Sequence, residues 1–175
     1  MPATPSNIVL IGMPGAGKST LGVILAKLSA RRFVDTDLLI QTSRNKTLQE
    51  IVDNEGYLAL RRAEEEVLLG LRISNAVIAT GGSAVYSQRA MARLKQDGLL
   101  VFLDVPLEVL RQRVRDYTTR GLAKPAEQSF EAMFAERLAL YRRYADLTIP
   151  YQNLPQEAIC TEILDRISQT SWPSR

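Results

Sequence analysis

The chain has 175 residues, 46% of them hydrophobic and 23% charged, and its 22 basic and 19 acidic side chains leave a net charge of +3. This composition predicts one globular domain over residues 1–175, and so small a charge excess gives no support for nucleic-acid binding. Histidine is absent, which excludes histidine-dependent catalysis, and Cys160 is the only cysteine, which excludes a disulfide framework. Neither an 18-residue apolar run nor a signal-peptide pattern is visible. We therefore expect a cytoplasmic protein without a membrane partner.

The first predicted unit is a strand, a glycine-rich loop and a helix. Residues 7–11 are apolar and β-branched, as a buried parallel strand requires, and apolar residues at helical spacing run from Leu21 to Leu28. The intervening GMPGAGKST fits the phosphate-binding pattern G-x-x-x-x-G-K-[ST]. Its backbone N–H groups can surround an anion at the helix N-terminus. We therefore expect ATP to be bound by Gly12, Gly15, Ala16, Gly17, Lys18, Ser19 and Thr20.

Side chains of this loop and of the next strand suggest phosphate and metal contacts. Lys18 can reach the β- and γ-phosphates, and Ser19 can offer its hydroxyl to Mg²⁺. The second predicted strand covers residues 32–37, so Asp35 and Asp37 project to the same side at its carboxyl end. Two carboxylates at this edge suit one contact to Mg²⁺ and one to a substrate hydroxyl. The alternative is a pair of aspartates that cap a helix or a turn.

Two helices are predicted before the third strand. Thr47-x-x-Glu50 is a capping box that opens a short helix, and a longer helix runs from about residue 57 to 71. In the longer helix Arg61 and Glu64 are i,i+3 neighbours, so we expect the carboxylate to hold the guanidinium in place. The alternative is that both residues belong to a solvated helix face.

The third and fourth predicted strands cover residues 76–80 and 99–103. Gly81 and Gly82 follow the third strand, where paired glycines allow a ligand to approach the backbone or simply form a tight turn. After the fourth strand, Pro106 begins a helix that carries Arg113.

A polar segment at about residues 116–129 has little periodicity, and its length is typical of a functional lid. Arg120 in this segment could meet the transferring phosphate or could be an ordinary surface arginine. Ser129 is predicted to cap a helix whose apolar stripe faces the core, with Arg137 just off that stripe. A strand at residues 147–149 and a helix introduced by Pro155 complete the chain, and we expect residues 171–175 to fray.

These motifs together resemble the shikimate kinases, a family of small P-loop kinases related to the nucleoside monophosphate kinases. The resemblance covers about residues 8–167 and implies an α/β fold: a five-stranded parallel sheet in the order 2-3-1-4-5, helices on both faces and a mobile lid. It also implies a monomer that phosphorylates a hydroxyl of shikimate with ATP, giving shikimate 3-phosphate. It rests on GMPGAGKST, Asp35-Thr36-Asp37, Arg61-x-x-Glu64, Gly81-Gly82, Arg120, and Arg137 followed by Leu140-Tyr141.

The resemblance further implies a role for each matching residue. The transferring phosphoryl group would be stabilised by Lys18 and Arg120, and Mg²⁺ would be served by Ser19 and Asp35. Asp37 would bind the acceptor's hydroxyls and is the candidate base.

The remaining implied roles concern the carboxylate of the acceptor and the adenine of ATP. Arg61 and Arg137 would clamp the acceptor's carboxylate near Gly81, and Gly82 would donate a backbone N–H. Arg113 and a loop near Pro155 would flank adenine.

Three positions depart from the family pattern: Leu60 replaces a phenylalanine, Ser83 replaces a third glycine, and Gly121 replaces a proline in the lid. None of them removes a charged group, so kinase chemistry is retained, whereas the acceptor could be another small hydroxy acid such as homoserine or gluconate. A further alternative is a nucleotide-binding module that transfers no phosphate. The presence of a complete catalytic set argues against such a module: Lys18, Ser19, Asp35, Asp37 and Arg120.

Overall fold

The computed structural model describes residues 6–114 and 121–170. One all-parallel sheet runs through them in the order β2-β3-β1-β4-β5, which confirms the order that the family resemblance implies. Its strands are β1 (Asn7–Ile11), β2 (Arg32–Asp35), β3 (Ala76–Ala79), β4 (Gly98–Asp104) and β5 (Leu147–Pro150).

Helices connect successive strands of this sheet, and none within residues 6–114 and 121–170 is long and apolar enough to cross a membrane. A short 3₁₀ turn, Ala84–Tyr86, follows β3. The α-helices are α1 (Lys18–Leu28), α2 (Thr36–Arg44), α3 (Leu48–Glu55), α4 (Tyr57–Gly70), α5 (Gln88–Asp97), α6 (Leu107–Arg113), α7 (Phe130–Tyr144) and α8 (Gln156–Gln169).

The main hydrophobic core is built on the central strands. All five residues of β1 and all four of β3 are buried, as expected for parallel strands covered on both faces. Cys160, on α8, is buried in this core. A second, smaller cluster joins α2, α3 and α4 to the segment after residue 120: Ile40, Ile51, Leu60, Ala63 and Ala123. This second cluster holds in place the face of α4 that borders the cavity described below.

The boundary between β2 and α2 differs from the prediction. The strand ends at Asp35, and Asp37 lies in the first turn of α2. Asp35 caps this helix, because its Oδ1 accepts hydrogen bonds from the backbone N–H groups of Asp37 (3.0 Å) and Leu38 (3.4 Å). The prediction of one continuous strand over residues 32–37 was therefore wrong. The Asp35 carboxylate satisfies N–H groups in the first turn of the helix, whereas in a strand those groups would need a neighbouring strand as their partner. The predicted capping box of α3 is confirmed.

Candidate active site

A cavity of about 480 Å³ opens where β1, β2 and β3 end. The phosphate-binding loop forms one side, α2 and α4 contribute carboxyl groups, and the chain after residue 120 forms another wall. In an open parallel sheet the carboxyl ends of the strands are where ligands bind. The residues with candidate roles that line it are Gly15, Gly17, Lys18, Ser19, Thr20, Asp37, Gly81, Gly82, Arg113 and Arg137.

The glycine-rich loop has the backbone that an anion site needs. Gly17 precedes α1 with φ of +94°, and Gly15 has φ of +83°, a region that side chains disfavour. A Cβ on Gly15 would also lie 2.5 Å from Val114. These glycines let the loop turn so that the N-terminus of α1 faces the cavity, where a phosphate would bind.

Lys18 is folded against the same loop. Its buried Nζ donates to the carbonyl oxygens of Gly12 (2.8 Å) and Met13 (2.9 Å). Burial lowers the pKa of Lys18 to about 8, although the nearby carboxylates of Asp37 and Glu64 oppose the shift. The ammonium group is therefore a fixed positive charge at the cavity floor near neutral pH.

Ser19 and Asp35 form the oxygen pair that a magnesium site would use. The Ser19 hydroxyl donates to Asp35 Oδ2 at 2.6 Å, and Ser19 is exposed to the cavity. A hydroxyl and a carboxylate beside a phosphate site suit Mg²⁺, which takes few protein ligands and completes its shell with phosphate and water. Within the described part of the chain, no cluster of three or more histidine, cysteine, aspartate or glutamate side chains is arranged so that it could hold a metal ion.

Two carboxyl groups converge beside Gly81. A Cβ on this glycine would collide with Glu64 Oε1 and lie 2.7 Å from Asp37 Oδ1. Burial raises the pKa of Asp37, with Lys18 opposing. Burial and then the charge of Asp37 raise the pKa of Glu64 to about 7. Burial therefore raises the pKa of both carboxyl groups, and such perturbed groups are common in sites that move protons.

The predicted contact between Arg61 and Glu64 is not formed, so that expectation was wrong. Glu64 Oε2 instead accepts a hydrogen bond from the Ser83 hydroxyl. Glu64 Oε1 has no hydrogen-bond partner among the described residues, although Glu64 is only 3% exposed. The hydroxyl that Glu64 accepts from belongs to Ser83, a buried residue at one of the three positions that depart from the family pattern.

Arg61 and Arg137 meet at one backbone atom. Arg61 Nε and Arg137 Nη2 both donate to the carbonyl oxygen of Ala123, at 3.1 Å and 3.0 Å. Arg137 is only 1% exposed. Its guanidinium lies against Gly82, where a Cβ would be 2.9 Å from Nη1. Two guanidinium groups this close to one acceptor match the geometry of a carboxylate.

A second cavity, of about 350 Å³, lies on the other side of the phosphate-binding loop. Arg113 lines it, donates to the Gly15 carbonyl at 3.3 Å, and has its Cζ 5.5 Å from the centre of the Tyr151 ring. Leu154 and Gln156 also line it. Pro155, between these two, is the N-cap of α8 and is exposed. The partly apolar lining next to the loop suits a nucleotide base.

Sequence reasoning placed most of these groups and missed others. Arg120 lies outside the described residues, together with residues 116–119 of the predicted lid. Tyr57 and Tyr86, whose rings lie near Arg61, were not predicted. The signal available for Tyr86 was its position four residues after a glycine pair at a strand's carboxyl end, where side chains tend to face ligands.

Comparison with known proteins agrees with this geometry. The sequence profile of the family described as "Shikimate kinase" matches residues 14–168. The chain is 35% identical to shikimate kinase 2 of Escherichia coli O1:K1 over 168 residues, which cover 93% of this chain and 96% of the relative. It is 39% identical to a shikimate kinase of Rippkaea orientalis over 171 residues, which cover 95% and 90%.

Solved structures give the same result. The shikimate kinase of Acinetobacter baumannii in complex with shikimate superposes with a TM-score of 0.81 at 33% identity, over 94% of both chains. A gluconokinase from Sinorhizobium meliloti superposes with a TM-score of 0.52 at 18% identity, covering 96% of this chain and 94% of that one, and shares the fold alone.

Proposed function

Because this chain belongs to the shikimate kinase family, we propose that it transfers the γ-phosphoryl group of ATP to a hydroxyl group of shikimate. The observation that carries this proposal is the convergence of Arg61 and Arg137 on the carbonyl oxygen of Ala123. Ala123 and Arg137 line the cavity that also contains the phosphate-binding loop, whereas Arg61 lines the adjoining pocket beside Glu64 and Ser83. A carboxylate-bearing alcohol is the kind of acceptor that such an arrangement would recognise.

The nucleotide would bind across the two cavities. Its base would lie between Arg113 and Tyr151, and its phosphates would meet the N-terminus of α1 and Lys18. Ser19 and Asp35 would hold Mg²⁺, which would supply positive charge beside the phosphates. Arg120, which lies outside the described residues, is proposed to contact the transferring group.

The acceptor would bind between the two carboxyl groups and the two arginines. Asp37 is proposed to accept a hydrogen bond from the reacting hydroxyl and to take its proton as the new oxygen–phosphorus bond forms. Arg61 and Arg137 would bind the carboxylate with the N–H groups that now meet at Ala123. Phosphoryl transfer needs little covalent assistance, so this positioning and the fixed charge of Lys18 would supply most of the rate.

The test is to identify the product. We expect ³¹P NMR of ATP, Mg²⁺ and shikimate with the enzyme to show a phosphate-ester resonance that grows in equal amount with ADP. The Lys18→Ala variant should give neither signal at the same protein concentration. ADP formation without a new ester would contradict the proposal, because it would show hydrolysis rather than transfer.

A further inference from the structure

Tyr86 contacts both arginines of the proposed carboxylate site. It ends the 3₁₀ turn Ala84–Tyr86, which follows Gly81 and Gly82. The centre of its ring lies 3.7 Å from Arg61 Cζ and 5.4 Å from Arg137 Cζ. A second ring, that of Tyr57, lies 5.1 Å from Arg61 Cζ. The guanidinium of Arg61 is thus held by aromatic rings where the sequence predicted a carboxylate.

The hydroxyl group of Tyr86 extends this arrangement to α7. Arg137 Nε donates to Tyr86 Oη at 3.4 Å, and the Tyr86 hydroxyl donates to Glu136, the residue before Arg137. The ring therefore orients one arginine and the hydroxyl orients the other. No other described residue has a cation–π contact with both.

Holding an arginine by a ring has a consequence for ligand binding. A ring face attracts the guanidinium charge without consuming its N–H groups, which lie in the guanidinium plane. An ion pair with Glu64 would instead use those donors and neutralise the charge. Because Ser83 binds Glu64 and Tyr86 binds Arg61, Arg61 keeps its charge for an anionic ligand, and its Nε–H is donated to a neutral backbone carbonyl, that of Ala123, rather than to a carboxylate.

Tyr86 is not a packing residue of the core. Tyr144 and Tyr151 pack against the main hydrophobic cluster, whereas Tyr86 belongs to neither cluster formed by the described residues. It borders an open pocket of about 280 Å³ together with Arg61 and Ser83. The contacts of Tyr86 with Arg61 and Arg137 therefore indicate a role in acceptor binding rather than in the stability of the fold.

We propose that Tyr86 is the positioning residue of the acceptor site, whose ring and hydroxyl set Arg61 and Arg137 so that their donors meet where the acceptor's carboxylate binds. This inference rests on the proposed function and concerns acceptor affinity and not the transfer step. It predicts a change in the KM for shikimate with the KM for ATP and kcat preserved.

Tyr86→Leu and Tyr86→Phe separate the two contacts. Removing the ring should raise the KM for shikimate about tenfold, since one close cation–π contact and the orientation of a second arginine are lost. Tyr86→Phe keeps the ring and loses the hydroxyl, so it should recover most of this loss, to within about threefold of the wild type. Tyr144→Leu, which removes a ring 5.7 Å from Arg143, is the matched control and should leave the KM for shikimate unchanged.

A double variant tests whether Tyr86 acts through Arg61. In the Arg61→Ala background, Tyr86→Leu should raise the KM for shikimate far less than in the wild type, because the orienting contact has already been lost. Full additivity of the two substitutions would overturn the inference, as would an unchanged KM for shikimate in Tyr86→Leu alone. A wild-type protein that does not phosphorylate shikimate would overturn the proposed function itself and this inference with it, so the two failures are distinguishable.

Discussion

Arg61 and Arg137 both donate to the carbonyl oxygen of Ala123, from side chains on α4 and α7. Ala123 follows Arg120 by three positions in the sequence. Because its carbonyl oxygen accepts the N–H groups that are proposed to bind the acceptor, this oxygen and an acceptor carboxylate would compete for the same donors. The arginines are therefore assembled before the acceptor binds, which reduces the entropy lost on binding. This shared contact is the basis of the first prediction.

Arg61→Ala should raise the KM for shikimate about 10- to 100-fold, the usual cost of losing one charge-assisted hydrogen bond. The KM for ATP should change less than about twofold, because Arg61 makes no contact with the phosphate-binding loop. Steady-state kinetics with each substrate varied in turn measure both. Arg62→Ala removes an exposed neighbouring arginine and is the control. Equal changes in both KM values would contradict the carboxylate role.

Lys18→Ala should lower kcat by about 10³-fold, since the buried ammonium is a fixed positive charge held against the phosphate-binding loop. Lys27→Ala, at the exposed end of the same helix, should retain the wild-type rate. The comparison needs only the rate of ADP release at saturating ATP and shikimate. A Lys18→Ala enzyme with near-normal kcat would show that this loop does not take part in transfer.

Gly81→Ala should reduce kcat/KM for shikimate by more than about tenfold, because the new methyl group would enter the space of Glu64 Oε1 and Asp37 Oδ1 and displace the proposed base. Gly70→Ala at the end of α4 meets no atom within 4 Å and should behave as the wild type. If both alanine variants keep wild-type kcat/KM, the placement of Asp37 relative to Gly81 does not matter for the reaction.

Glu64→Gln should change how stability depends on pH. The pKa of Glu64 is raised from 4.5 to about 7 by burial, so the folded protein holds a proton that the unfolded chain releases. The wild type should accordingly lose stability as pH rises from about 4.5 to 7, by an amount of the order of 3 kcal/mol. The glutamine variant should lack this loss.

Urea unfolding of both proteins at pH 5 and pH 8 measures the difference. Glu108→Gln, at an exposed position on α6, should keep the wild-type pH dependence. The same decline in Glu64→Gln and in the wild type would show that Glu64 is ionised in the folded protein at neutral pH.

Local sequence patterns were sufficient for the fold because each element has its own signal. The apolar run before GMPGAGKST predicted β1 to the residue, and the Thr47 capping box predicted the start of α3. At Asp35 and Asp37 two local rules conflicted. The sequence at these residues fits both the alternation of a strand and the capping of a helix. The hydrogen bonds that Asp35 accepts show that it caps α2.

The site was harder to predict because its contacts join residues distant in sequence. Glu64 is nearer to Arg61 along the chain, yet the hydroxyl of Ser83, 19 positions away, takes its carboxylate. The meeting of two arginines at Ala123 spans 62 and 14 positions. No periodicity encodes such contacts, which depend on how α4, α7 and the segment after residue 120 pack together.

A departure from the family pattern also has a structural explanation that the sequence did not supply. Gly121 stands where the family has proline, and its φ is +57°, which proline cannot adopt. Its N–H donates to Gln49 Oε1 at 2.6 Å, a bond that proline could not make. This substitution therefore attaches the segment to α3 and leaves the charged groups of the site unchanged.

The most direct test of the central claim is kcat/KM measured with ATP and Mg²⁺ for shikimate, homoserine and gluconate, against a reaction without acceptor. We predict turnover with shikimate that exceeds the other two acceptors by at least about 100-fold, because only a matched acceptor meets both arginines and Asp37 together. A higher kcat/KM for homoserine or gluconate would contradict shikimate as the acceptor, and ADP release that is independent of any acceptor would contradict phosphoryl transfer.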